Sequence, residues 1–196
     1  ADQARDIRAL DEGTTAGTAR GEDSTDLQSS RTGATQVASG AQSVISGGKT
    51  TTASNTLSVV AGGTGNANSG NSAAISGGSS NSATGTLATI SGGGSNSVTS
   101  TGGTVAGGGE NAVSGTYGAI GGGKNNFATG AFSTAAGGSF VRSQAAYASA
   151  LGGLRNFSGD IGATVGGGIA NNTSGLTVNK TTGAVTGTSA ENTAGK

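Results

Sequence analysis

Residues 43–57 read SVISGGKTTTASNTL, and this 15-residue unit recurs nine times through residue 177 without an insertion or deletion. Adjacent glycines fall at 47/48, 62/63, 77/78, 92/93, 107/108, 122/123, 137/138, 152/153 and 167/168, always 15 apart. Chance does not hold such a register. A fixed short period without a helical hydrophobic pattern is the signature of a stacked solenoid, in which each repeat is one coil. Counting positions from Ser43, position 3 reads Ile45, Val60, Ile75, Ile90, Val105, Ile120, Ala135, Ala150 and Val165, mostly β-branched, as an inward-facing strand residue would be. Positions 5 and 6 are Gly in every copy, which implies positive φ or a backbone too close to a neighbour for a Cβ. Position 9 is Asn in seven of nine copies, a residue type that tolerates left-handed backbone and can hydrogen-bond to its copy one coil on. Ser or Thr at position 12 and frequent Gly at position 13 mark a second turn. Each coil is therefore expected to hold two short strands, near positions 1–4 and 9–12.

Composition alone argues against a globular core. Of 196 residues 41 are Gly, Leu, Ile, Val and Phe together number 29, and Trp, Met, Pro and Cys are absent. That poverty would suit disorder, but the net charge is zero and the few large apolar residues are strictly phased, so the solenoid reading prevails. Without Cys or His, disulfides, thiolate metal sites and the usual general base are excluded. The expectation is a non-enzymatic chain with no cofactor and no metal. No signal-peptide-like stretch and no apolar run near the length of a membrane span is present, so no membrane insertion is expected.

The chain divides into residues 1–30, 31–177 and 178–196. The first 31 residues hold seven of the ten acidic side chains. Ala4, Ile7 and Leu10 recur at helical spacing, so Asp2 to Glu12 is expected to form a short helix or tail that attaches to a partner. Gly13 to Ser30 has no period and reads as an extended linker. Arg31 to Gln42 reads as a degenerate half-unit, the first coil or cap, because Ala38-Ser39-Gly40 matches the second half of later units. After the last glycine pair, Leu176–Val178 and Ala184–Val185 around KTTG suggest a closing hairpin ahead of a disordered end. One large buried side chain per coil is a small return for ordering fifteen residues. An oligomer is expected, with positions 2, 11 and 15 supplying its interface.

The units SVISGG, SVVAGG and ATISGG followed by NxAxG resemble the head repeats of YadA-type trimeric autotransporter adhesins. The doubled glycine, NxASG and the ATQVASG lead-in are also similar to repeats of bacteriophage tail fibres. The resemblance covers residues 34–177. It implies a left-handed parallel β-roll of three chains, used as a stalk or as a receptor-binding head. The sequence departs from the autotransporter pattern in lacking a recognisable signal peptide, coiled-coil stalk or membrane anchor, which favours the phage reading. The expectation is thus a homotrimeric fibre protein of a virion, joined to other virion proteins through its N-terminal segment and meeting a host surface glycan or protein. The alternative is a bacterial surface adhesin head binding host matrix or glycan.

Several motifs dissolve into the repeat. Gly47-Gly48-Lys49-Thr50 matches only the end of a phosphate-binding loop, and Ser43 stands where its first glycine belongs. Glu110 and Asp160 are the only acidic residues of 43–177 and lie three coils apart, too far to serve as a glycosidase pair within one chain. The irregular position 2 column argues against an ice-binding Thr array, and zero net charge against nucleic acid. What departs from the repeat is aromatic. All six aromatic residues fall between Tyr117 and Phe157. Tyr117, Phe132 and Tyr147 share position 15 and should stack as an interface or core column. Lys124, Phe127, Phe140, Arg142, Arg155 and Phe157 fall at positions 7–10, mostly Ser, Thr, Asn or Gly in other coils. They either stack on sugar faces and hold acidic or phosphorylated groups as a receptor site, or they pack onto a neighbouring protein or strengthen the C-terminal coils.

Overall fold

The computed structural model describes residues 20–169 and 171, with the backbone of 177–178 and 185–186. It is an all-β parallel solenoid, and no helix occurs among the described residues. One ten-stranded sheet takes one strand from each coil, from Thr25–Asp26 through Val44–Ile45 to Thr164–Val165. An eight-stranded sheet runs beside it from Thr52–Ala53 to Phe157–Ser158. Every strand of these two sheets has two residues, at positions 2–3 and 10–11, so the two-strand coil expected from the period is present. A third ladder was not legible in the repeat. Single parallel bridges link position 7 of successive coils from Lys49↔Thr64 to Leu154↔Ile169. Pairing between coils is always with the same position one coil away, for example Ile75↔Ile90 and Val98↔Val113, and the glycine-rich turns permit that exact superposition of backbone.

Four columns share the narrow interior. Position 3 is buried as expected: Ile45, Ile75 and Ile90 have no exposed surface. Position 11, expected at an interface between chains, is buried in the chain's own core instead (Ala53, Ala83, Val98, Ala128). The reason is the pleat: position 10 points outward, so its neighbour must point in. Position 1 sits opposite and adjusts to position 11 in volume. Where position 11 is Val, position 1 is Gly, because a Cβ at Gly103 would stand 2.7 Å from Val98 Cγ1 and one at Gly118 would stand 2.9 Å from Val113 Cγ1. Where position 11 is polar, it is satisfied locally. Ser143 Oγ donates to the Ala148 carbonyl at 2.7 Å, and Asn68 Nδ2 donates to those of Ala73 and Val59.

The fourth column is the Asn ladder at position 9. Asn96 donates through Nδ2 to the carbonyls of Gly92 and Gly108, both at 3.0 Å, while its Oδ1 accepts the backbone N–H of Asn111 at 3.1 Å. The same pattern repeats at Asn81, Asn111 and Asn126. Bonding between copies is as expected, but left-handed backbone is not found at position 9. It falls at positions 8 and 15, where Ser95, Phe140, Leu87 and Tyr117 have φ of 55–59°. The two glycines of each pair also differ. At Gly93 (φ 86°) a Cβ would lie 2.0 Å from the Gly108 carbonyl oxygen and 2.8 Å from Asn96 Nδ2, so glycine at position 6 is what admits the ladder. At position 5 nothing stands within 4 Å of an added Cβ in any copy.

The solenoid begins earlier than the linker reading implies. Thr25–Asp26 pairs in register with Val44–Ile45, and Ser30 bridges Lys49. This coil spans 19 residues to the next rather than 15, since Ala38 already pairs with Ala53 in the regular phase. Four extra residues lie between Ser30 and Ala38, folded back where Gln36 Oε1 accepts the N–H groups of Thr32 and Gly33. The core column ends in a carboxylate. Asp26 is 1% exposed, and it accepts from Gln28 N, Gln28 Nε2 and Ala38 N at 3.2–3.3 Å, with Arg20 Nε 4.0 Å away. Gln28 Oε1 in turn accepts the N–H of Thr51, the role that an Asn plays in later coils. At the other end, Thr177–Val178 pairs antiparallel with Val185–Thr186, the hairpin expected around KTTG. The proposed helix at Asp2–Glu12 lies outside the described residues.

Candidate functional site

Position 10 points outward from the eight-stranded sheet, and in three successive coils it carries Phe127, Arg142 and Phe157, paired one above another. The Arg142 guanidinium lies 5.1 Å from the centroid of the Phe127 ring, within range of a cation–π contact. Position 8, the left-handed corner beside this sheet, supplies Phe140 and Arg155 at φ 55° and 56°. Between the two columns opens a cleft of 270 Å³ lined by Phe127, Phe140, Arg142, Arg155, Asn156 and Phe157. Five of the six residues singled out from the sequence therefore meet there. Lys124 does not. It sits at position 7, where its Nζ pairs with Glu110 Oε1 at 3.6 Å across an exposed edge.

The sequence reading missed Asn156, because it belongs to the ladder and differs in no way from its copies. In the cleft it provides wall rather than chemistry: its Nδ2 donates to the carbonyls of Gly152 and Gly168, and its Oδ1 accepts the N–H of Asn171. Below it the ladder is interrupted by Val141, fully buried between Phe140 and Arg142. Neither Arg142 nor Arg155 has an acidic partner among the described residues. Side chains in left-handed backbone carry a cost of about 1–2 kcal/mol per residue. Phe140, half exposed, and Arg155 are held at a corner where small residues sit more comfortably.

A second aromatic group forms the expected column. Tyr117 and Phe132 stack at 5.5 Å with planes 15° apart, and Phe132 and Tyr147 at 5.2 Å and 4°. The column runs along a different edge of the rod, at position 15, and its three rings stay 49–60% exposed. Its lower end rests on Gly102, where a Cβ would lie 2.4 Å from Tyr117 Cδ1. The remaining chemistry is sparse. No group of three or more His, Cys, Asp or Glu residues that could hold a metal occurs among the described residues, and no described helix is long and apolar enough to cross a membrane. Asn156, which opens an Asn-Phe-Ser glycosylation sequon, has no accessible surface.

No protein-family model matches the chain, and no curated protein matches it either.

Proposed function

We propose that the chain is a non-enzymatic fibre protein of a phage virion, three copies of which form a stiff rod that presents a host-surface-binding cleft. The observation that carries the adhesive reading is the cleft itself. Guanidinium groups with no acidic partner among the described residues face outward there beside phenyl rings, where a solenoid turn needs only small polar residues. Multivalency suits such a shallow site, since several weak identical contacts per particle raise avidity by about 100- to 10,000-fold without a tight single one.

Assembly is supported by the distribution of charge. Between residues 43 and 171 every charged side chain (Lys49, Glu110, Lys124, Arg142, Arg155 and Asp160) falls at positions 7–13. Positions 14 through 6, which include the outer face of the ten-stranded sheet, carry none in the nine regular coils. Depletion of charge together with exposed aromatic residues distinguishes interface cores from ordinary surface. Along this face run Leu57, Leu87, Tyr117, Phe132 and Tyr147, all about half exposed. Six of the nine position 5 glycines, which neither the chain's own packing nor a positive φ requires, fit a face that another backbone approaches closely.

The test of adhesion is the combined variant Phe127→Asn, Arg142→Ser and Phe157→Asn. All three side chains leave the outer face of the sheet, so the rod is expected to assemble unchanged while attachment to host cells falls. A variant that attaches as well as the parent, or does not assemble, would assign the cluster to packing.

A further inference from the structure

From the donor and acceptor inventory of the cleft we infer that its ligand is an anionic pyranose, a sugar ring bearing an exocyclic carboxylate or phosphate. This rests on the adhesive reading and narrows it. Among the lining side chains, the guanidinium groups of Arg142 and Arg155 are donors only. The single amide, that of Asn156, has both its nitrogen and its oxygen engaged by the backbone. The walls thus offer free donors but no free side-chain acceptor. A ligand recognised through hydroxyl groups alone would find no side-chain acceptor for its O–H protons, whereas an anion needs none. The guanidinium fork matches the two oxygens of a carboxylate or phosphate.

The rings define the other half of the ligand. Phe127, Phe140 and Phe157 border the same space, and a phenyl face exposed to water favours a flat C–H face such as a pyranose presents. Arg142 already lies over Phe127, which fixes one cation beside the apolar wall. A ligand that satisfies both must carry a charge within reach of its ring face, as an acidic sugar does in a single residue. A volume of 270 Å³ suits one such residue of a chain that continues along the open side of the rod. The cations are solvent-facing, so binding is expected to weaken as salt rises.

The assembled protein is titrated with a glucuronic-acid tetrasaccharide, with its carboxyl-reduced neutral counterpart, and with that counterpart phosphorylated at the 6-hydroxyl groups. The charged sugars are expected to bind, the tighter of the two naming the natural anion, and the neutral one to bind at least about tenfold more weakly, a difference of about 1.4 kcal/mol. Arg142→Gln and Arg155→Gln, each checked for assembly by sedimentation, should each lower affinity for the charged sugar by about tenfold. Equal binding of charged and neutral sugars, or unchanged affinity in both arginine variants, would overturn the inference. If neither charged sugar binds but the Phe127, Arg142 and Phe157 triple variant still loses cell attachment, the anionic-sugar inference fails and the adhesive reading stands. If that variant attaches normally, both fail.

Discussion

Glycine at position 6 and asparagine at position 9 are one device made of two residues. The carbonyl geometry that lets Asn81 Nδ2 reach Gly77 and Gly93, both at 3.0 Å, exists only because the backbone at Gly78 takes a φ of 86° and carries no Cβ. A Cβ there would lie 2.1 Å from the Gly93 oxygen and 2.8 Å from Asn81 Nδ2. Gly78→Ala is therefore expected to prevent that coil from closing, at a cost above about 3 kcal/mol once strain and lost hydrogen bonds are combined. Gly77→Ala, one residue earlier in open space, should leave the thermal unfolding of the protomer's coils almost unchanged. Melting curves of the two variants by circular dichroism separate the roles. The sequence treats both glycines alike, since each is invariant over nine copies; only the geometry shows that one answers to the chain's own ladder and the other does not.

At the level of the coil, what was legible depended on how each column varies. Position 3 announced itself through Ile and Val, and its burial follows. Position 11 mixes Ala, Asn, Val, Ser and Thr, a set without an apolar signature, because it shares a narrow space with position 1 and is chosen for fit rather than hydrophobicity. The N-terminal coil is hidden in the sequence for a different reason. Gln28 and Ser29 replace the glycine pair, and the extra residues before Ala38 break the period, so only the strand pairing reveals it. The cleft was legible as a departure from the repeat, while Lys124 could be separated from it only by seeing the Glu110 carboxylate at the neighbouring corner. The strand orientation itself is tested by a pair of substitutions. Ile90→Asp places a carboxylate in the core column with no partner and should abolish folding, a loss of several kcal/mol. Ser95→Asp, at an exposed left-handed corner, should shift the melting temperature little. Similar melting temperatures for the two would show that the strand faces the other way.

Through the nine regular coils, one face bears the charges and the cleft and the other bears none, whereas the first coil places Glu22 and Asp23 on that second face. Sedimentation equilibrium is expected to give three times the chain mass, and a folded monomer at micromolar concentration would end the trimer proposal. If the position 5 column lies between chains, Gly77→Ala, harmless within a coil, should nevertheless weaken association and shift the sedimentation profile with dilution. The uniform register of the ladders reaches further than stability. Because every pairing joins a residue to its own copy in the next coil, a duplicated or deleted unit restores each column without moving any side chain out of phase. Unequal recombination within the gene could therefore lengthen or shorten the rod by whole coils, so that reach becomes a trait free to drift in discrete steps while the polar first coil and the aromatic cleft are inherited intact.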